Sequence, residues 1–169
     1  MVGRRTLAVT ADPDPDRKDL TTYAGRDEEP GMRDLLDHLF SVGCRSIWLV
    51  IGEDDNSWTR NSRRSYVEWT RENAVAPAIH PLAETSGVAG AHALAERLLG
   101  PGPHPDAIIA ATSPFAAGIA TKAMQLGLSI PGDIKIAAMS DEEILAVPGI
   151  GEKTAQKILV SARALLNKS

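Results

Sequence analysis

Cysteine occurs once, at Cys44, so the chain can build neither an intrachain disulfide nor a cysteine-based zinc cluster. That usage suits a reducing, cytoplasmic setting. The four histidines, His38, His80, His92 and His104, are scattered without metal-ligand spacing, and neither a metal nor a cofactor is expected. Aromatic residues are only 4% of the 169, which leaves the core to Leu, Ile, Val and Ala. No run approaches the ~18 apolar residues of a membrane span. The opening MVGRRTLAVTADPDPD has too short an apolar stretch before its Asp-Pro cluster to be a signal peptide, so no membrane contact is expected. A basic surplus is missing as well: 18 Lys and Arg against 22 Asp and Glu give a net charge of −4. This excludes a surface that tracks phosphates throughout and confines any nucleic-acid contact to a local patch. There is no G-x-S-x-G elbow and no Gly-rich phosphate loop after the first strand, and the chain is not expected to be an enzyme.

What is present is an alternation of apolar runs and amphipathic stretches. Strands are predicted near 7–11, 46–51, 107–112 and 134–139, and a weak one over Val75–His80, where Pro77 cannot donate a ladder hydrogen bond and points to an edge. Ile47 to Ile51 and Ala107 to Ala111 are continuously apolar, as strands covered on both faces must be. Between them, Met32, Leu35, Leu36, Leu39 and Phe40 follow the spacing of a helix with one buried face, closed at Gly43. Ser62, Tyr66, Trp69 and Asn73 share one face of a second helix flanked by Arg60, Arg63, Arg64 and Arg71. Val88 to Leu99 form a third, and Pro114 opens a fourth. Strands alternating with helices of this length predict an α/β fold with a mostly parallel sheet. Ligands then belong beyond the carboxyl ends of the strands, in the loops that begin at Gly52, Thr112 and Ser140.

Two acidic clusters invite a metal reading. Asp12, Asp14 and Asp16 have the spacing of a calcium loop, yet Arg17 stands where its glycine belongs and Tyr23 where its bidentate glutamate belongs, so a solvated turn is expected. Glu53-Asp54-Asp55 could hold a metal or a ligand hydroxyl, or could be an acidic surface loop.

The stretches LLDHLFSVGCRSIWLVIG and AIIAATSPFAAGIATKAMQLGLSIPGDIKIAAMSD, within residues 33 to 141, resemble the effector-binding domain of LacI/GalR transcription regulators. Gly127-Leu128, Ile130-Pro131 and Asp133-Ile134 stand in the order of the family's turn into a late strand. The resemblance implies one half of a periplasmic-binding-protein-like fold, a small-molecule effector such as a sugar or nucleoside, and a homodimer. The family's helix-turn-helix headpiece and most of its first lobe are missing, so the chain is expected to be a fragment or a truncated form. Cleft residues do not carry over one by one. Ser62 stands where the family has an arginine four residues before the helix aromatic, here Tyr66; Thr112-Ser113 replaces an Asn-Asp pair, and Ser140 an aspartate. Either the effector differs, with Asn56, Trp58 and Arg60 adding contacts from the neighbouring loop, or binding is lost and the loops only connect elements.

From Asp141 onward the character changes. ILAVPGIGEKTAQKIL resembles a helix-hairpin-helix motif of DNA-repair and recombination proteins. Gly149 and Gly151 would let the backbone approach a phosphate, the following helix N-terminus would bind it, and Lys153 and Thr154 would add a charge and a hydroxyl. Residues 1–140 are thus expected to form the effector-binding subdomain and 141–169 a small α-helical hairpin. The expected function is the effector-binding portion of a transcription regulator; a DNA-binding or repair accessory protein acting through residues 148–154 is the alternative.

Overall fold

A computed structural model describes residues 28–139. The strand expected at 7–11 and the hairpin expected at 141–169 lie outside the described residues. The elements run α1 (Glu28–Ser41), β1 (Ile47–Gly52), α2 (Ser57–Glu72), β2 (Ile79–Leu82), a 3-10 turn (Glu84–Ser86), α3 (Gly87–Leu98), β3 (Ala107–Ala110), α4 (Ser113–Gln125) and β4 (Lys135–Ala138).

All four strands are parallel, in the order β2-β1-β3-β4. Period-two alternation sends successive residues of each strand to opposite faces, and both faces are covered. On one face Ile47, Leu49, Ile51, Ala107, Ile109 and Ala137 pack with Met32, Leu36 and Leu39 of α1 and Tyr66 and Trp69 of α2. On the other, Val50, Ile108, Ala110, Ile136 and Ala138 pack with Ala91 and Leu94 of α3 and Phe115, Ile119 and Ala120 of α4. The expected mostly parallel α/β sheet is therefore the observed one. No helix of the described residues is long and apolar enough to cross a membrane.

The apolar stripe read in α1 is the buried one, and Gly43 takes φ +97° as its C-terminal turn requires. Large buried polar atoms are satisfied locally. Trp69 donates Nε1–H to Asp37 at 2.7 Å, and its ring meets Phe40 edge-on with centroids 5.5 Å apart. Asp106 accepts the main-chain N–H groups of Arg45 and Ser46 at 2.7 and 2.8 Å, tying the entry of β3 to the entry of β1.

The weak strand departs from expectation. Pairing starts at Ile79 rather than Val75, because the residues before it are already committed: Val75 N–H caps the end of α2 on Thr70 O, and Ala78 N–H goes to the Tyr66 hydroxyl. β2 does stand at one end of the order among the described residues, and the proline inside its ladder is Pro81, opposite Ile51. β3 and β4 are shorter than predicted, ending at Ala110 and Ala138; after β3, Thr112 serves as the N-cap of α4.

α3 and α4 cross closely at Gly118. A Cβ there would stand 2.3 Å from the Val88 carbonyl and 2.8 Å from Ala91 Cβ. Only glycine permits this approach.

Candidate functional site

β1 and β3 are hydrogen-bonded neighbours, yet the helices that follow them leave to opposite faces: α2 joins the layer with α1, α4 the layer with α3. The chain therefore parts at the carboxyl ends of these two strands, which is where open parallel sheets form their ligand crevice. The segment from Asn56 to Ser62 follows β1, and Thr112 and Ser113 follow β3.

Each rim begins with a helix cap. Asn56, in extended backbone, accepts the Thr59 N–H on Oδ1 at 2.8 Å. Thr112, likewise extended, accepts Phe115 N–H on Oγ1 at 3.4 Å, and Pro114 fills the first turn where no amide partner is needed. Asn56 and Thr112, expected as effector contacts, thus have a structural task first. The Asn56 Oδ1 atom is occupied by that cap.

The remaining expected residues separate by depth. Arg60 is exposed and held by the Asp55 carboxylate at 2.7 Å and the Asp55 carbonyl at 3.1 Å. Trp58 is half-buried against the α1–α2 core. Ser113 is buried at the start of α4. Ser62 is 1% exposed on the sheet-facing side of α2, and its hydroxyl has no partner among the described residues. Ser140, Gly149, Gly151, Lys153 and Thr154 lie outside the described residues.

Sequence reasoning missed two members of this region. Thr59, three residues before Ser62 and on the same buried side, is 5% exposed and its Oγ1 also lacks a partner. Its signal was the recurrence of hydroxyl residues, with Ser62, Ser65 and Thr70, on the side that α2 buries with Tyr66 and Trp69. The other is Glu84, from the turn after β2, whose carboxylate folds over the end of β1: its Oε1 lies 2.5 Å from where a Cβ on Gly52 would be. Buried hydroxyls without partners are costly in an apolar interior, about 1–3 kcal/mol each. No group of three His, Cys, Asp or Glu side chains among the described residues is placed to hold a metal, and Glu53-Asp54-Asp55 is an exposed turn before α2.

The sequence matches a family model described as a periplasmic binding protein-like domain over residues 36–154. No curated protein matches it. Among solved structures, an uncharacterised protein from Actinobacillus succinogenes superposes with a TM-score of 0.73 at 18% identity, over 95% of this chain and 63% of the other. A LacI regulator from Lactobacillus casei, solved with bound Tris, gives 0.69 at 20% identity over 94% and 59%. The lac repressor dimer bound to operator and the anti-inducer ONPF gives 0.66 at 18% identity over 85% and 54%. The likeness at these identities is one of fold, and the chain spans less than two thirds of each of these proteins.

Proposed function

The chain belongs to the periplasmic binding protein-like family, and on that premise we propose that it is the effector-binding portion of a LacI/GalR-type transcription regulator. In this reading it is cytoplasmic, dimeric and without catalytic activity, and it holds a small polar molecule, a sugar or nucleoside, at the carboxyl ends of β1 and β3. The observation that carries the reading is the pair Thr59 and Ser62, buried on α2, the helix that follows β1, with hydroxyls that have no partner among the described residues. Contacts come from Asn56, Trp58 and Arg60 on one rim, Thr112 and Ser113 on the other, and Ser140 after the last strand. One lobe covers about half of a ligand, and affinity for this chain alone is weak.

Residues 148–154 are not needed for this activity. They fall inside the span matched by the periplasmic binding protein-like family, so their Pro-Gly-Ile-Gly sequence has an account that involves no DNA contact.

The test is a titration of the isotope-labelled chain with sugars and nucleosides, followed by amide shifts. Perturbation centred on residues 56–62 and 112–113 is expected. Shifts centred on Gly43, Ser46 and Asp106, at the opposite end of the sheet, would overturn the assignment.

A further inference from the structure

α2 has two long sides with different tasks. Thr59, Ser62, Tyr66, Trp69 and Thr70 are buried on one. On the side turned away from them, at ~100° per residue, Arg60, Arg63, Arg64, Val67 and Arg71 share an arc of about 100°. All five are exposed. At ~1.5 Å per residue the crest they form is roughly 16 Å long.

The charges of α2 are sorted by side. Its two carboxylates leave the crest to the arginines: Glu72 accepts two hydrogen bonds from Arg33 of α1, at 2.9 and 3.0 Å, and Glu68 lies on the same flank, within reach of the Arg33 charge. Arg60 is bonded to Asp55, while Arg63 and Arg71 have no ion-pair partner among the described residues. Arg60 and Arg64 stand four residues apart, and like charges at that spacing work against a helix. Val67, with Arg63 and Arg71 four residues to either side, is 42% exposed in the middle of the crest. Arginine beside an uncovered apolar side chain is the composition of a protein contact rather than of a solvated face.

A cationic crest on a chain of net charge −4 fits an anionic partner. A second copy of the chain does not suit it, because a two-fold axis at Val67, Arg64 or Arg63 sets arginine against arginine. Nucleic acid suits it poorly: Glu53, Asp54 and Asp55 stand directly before the crest and repel a polyanion, and Val67 has no part in a phosphate contact. A lipid surface needs more apolar area than one valine.

We propose that the outer crest of α2 is a docking surface for an acidic helical segment of another protein, with carboxylates meeting Arg63, Arg64 and Arg71 and a central apolar side chain meeting Val67. The surface lies across α2 from Thr59 and Ser62, so this proposal is independent of the effector reading.

The test uses three synthetic helical peptides on an alanine background: one with glutamates one turn to either side of a central leucine, one with glutamine for glutamate, and one with alanine for the leucine. Each is titrated into the isotope-labelled full chain at ~25 mM and ~300 mM salt and followed by amide shifts. Shifts centred on residues 60–71 are expected from the first peptide, with binding roughly five- to tenfold weaker for the glutamine copy at low salt. The alanine copy should bind about threefold more weakly. Arg63→Gln combined with Arg71→Gln, both exposed, should remove most of the preference for glutamate and leave binding of the glutamine copy unchanged. High salt should do the same. Equal binding of the glutamate and glutamine peptides, a preference that survives the double substitution, or no shifts from the first peptide at ~5 mM would overturn the proposal. So would tighter binding of the crest by a DNA duplex or by anionic lipid vesicles. Movement of the crest amides on joint Asp12→Asn, Asp14→Asn and Asp16→Asn substitution, with no peptide present, would also overturn it, because the chain's own carboxylates would then be the occupant.

Discussion

The phenol of Tyr66 donates a 2.7 Å hydrogen bond to the carbonyl of Ile47, pinning the middle of α2 to the first residue of β1. The same oxygen accepts the N–H of Ala78 at 3.0 Å, so one side chain joins the helix to the starts of two strands. Burial pushes the phenol pKa up, and the neutral donor is the form that makes the bond. Tyr66→Phe should keep the packing and remove both bonds, at a cost of about 1–3 kcal/mol because a buried amide and carbonyl lose a partner. Chemical denaturation of the two proteins measures it, and hydrogen exchange at Ala78 should accelerate.

Gly118 and Gly31 should respond to alanine with opposite signs. Both lie in helices, where Gly→Ala ordinarily stabilises by up to ~1 kcal/mol. At Gly31 nothing stands within 4 Å of the added carbon, so a gain is expected. At Gly118 the carbon would meet the Val88 carbonyl and the main chain at His92, which cannot yield without parting α3 from α4. A loss of about 1–3 kcal/mol is expected there, read as a lower midpoint in the same denaturant series.

Ser62→Ala should separate stability from binding. Its hydroxyl is buried without a partner among the described residues, so removing it should leave the folded chain unchanged or more stable by about 1 kcal/mol. Affinity for the effector should fall. Thermal unfolding and ligand titration of the same preparation check both halves; a destabilised variant would mean that the hydroxyl has a partner inside the protein.

Acid should weaken the fold in two separate steps. The ring of His80 lies 5.0 Å from that of Trp48 on β1, with no partner for Nε2 among the described residues, and burial holds its pKa below the usual 6.5. The unfolded chain therefore takes up a proton near pH 6.5 that the folded chain takes only at lower pH, and stability declines as pH falls from about 6.5. His80→Gln should flatten that first decline. The second step belongs to Asp106, whose pKa lies below 3.8 because the amides of Arg45 and Ser46 bond its carboxylate, and to Asp133, which is lowered by bonds from Ser129. Their contribution is present above pH 3.8 and is lost as pH falls through their depressed values. Unfolding midpoints measured from pH 8 to pH 3 resolve the two.

Where one element's own sequence decides its structure, the sequence was legible. Ile47 to Ile51 is apolar on both faces because helices cover both, and the stripe from Met32 to Leu39 is the stripe α1 buries. The start of β2 was not legible, since the Ala78 N–H is taken by the hydroxyl of Tyr66 while its carbonyl bonds Leu49 of β1, and the first of these is a tertiary contact that no periodicity carries. The site divides in the same way. Asn56 and Thr112 were found as polar residues after apolar strands, but the same position also suits a helix cap, and each acts as one. Glu84 escaped notice because its relation to Gly52 depends on β2 lying beside β1.

The sheet order also sets a timetable for biosynthesis. β1 lies between β2 and β3, and the contact that seats β3, Ser46 with Asp106, joins residues 60 apart in sequence. At ~5–20 residues per second a ribosome needs roughly 3 to 12 seconds to deliver the second after the first. During that interval α1, α2 and β2 can already close over one side of β1, while Trp48, Val50 and Leu82 still face water on the other, waiting for Ile108 and the α3–α4 pair. The nascent chain thus passes through a half-covered sheet whose bare side is a natural place for a chaperone to hold.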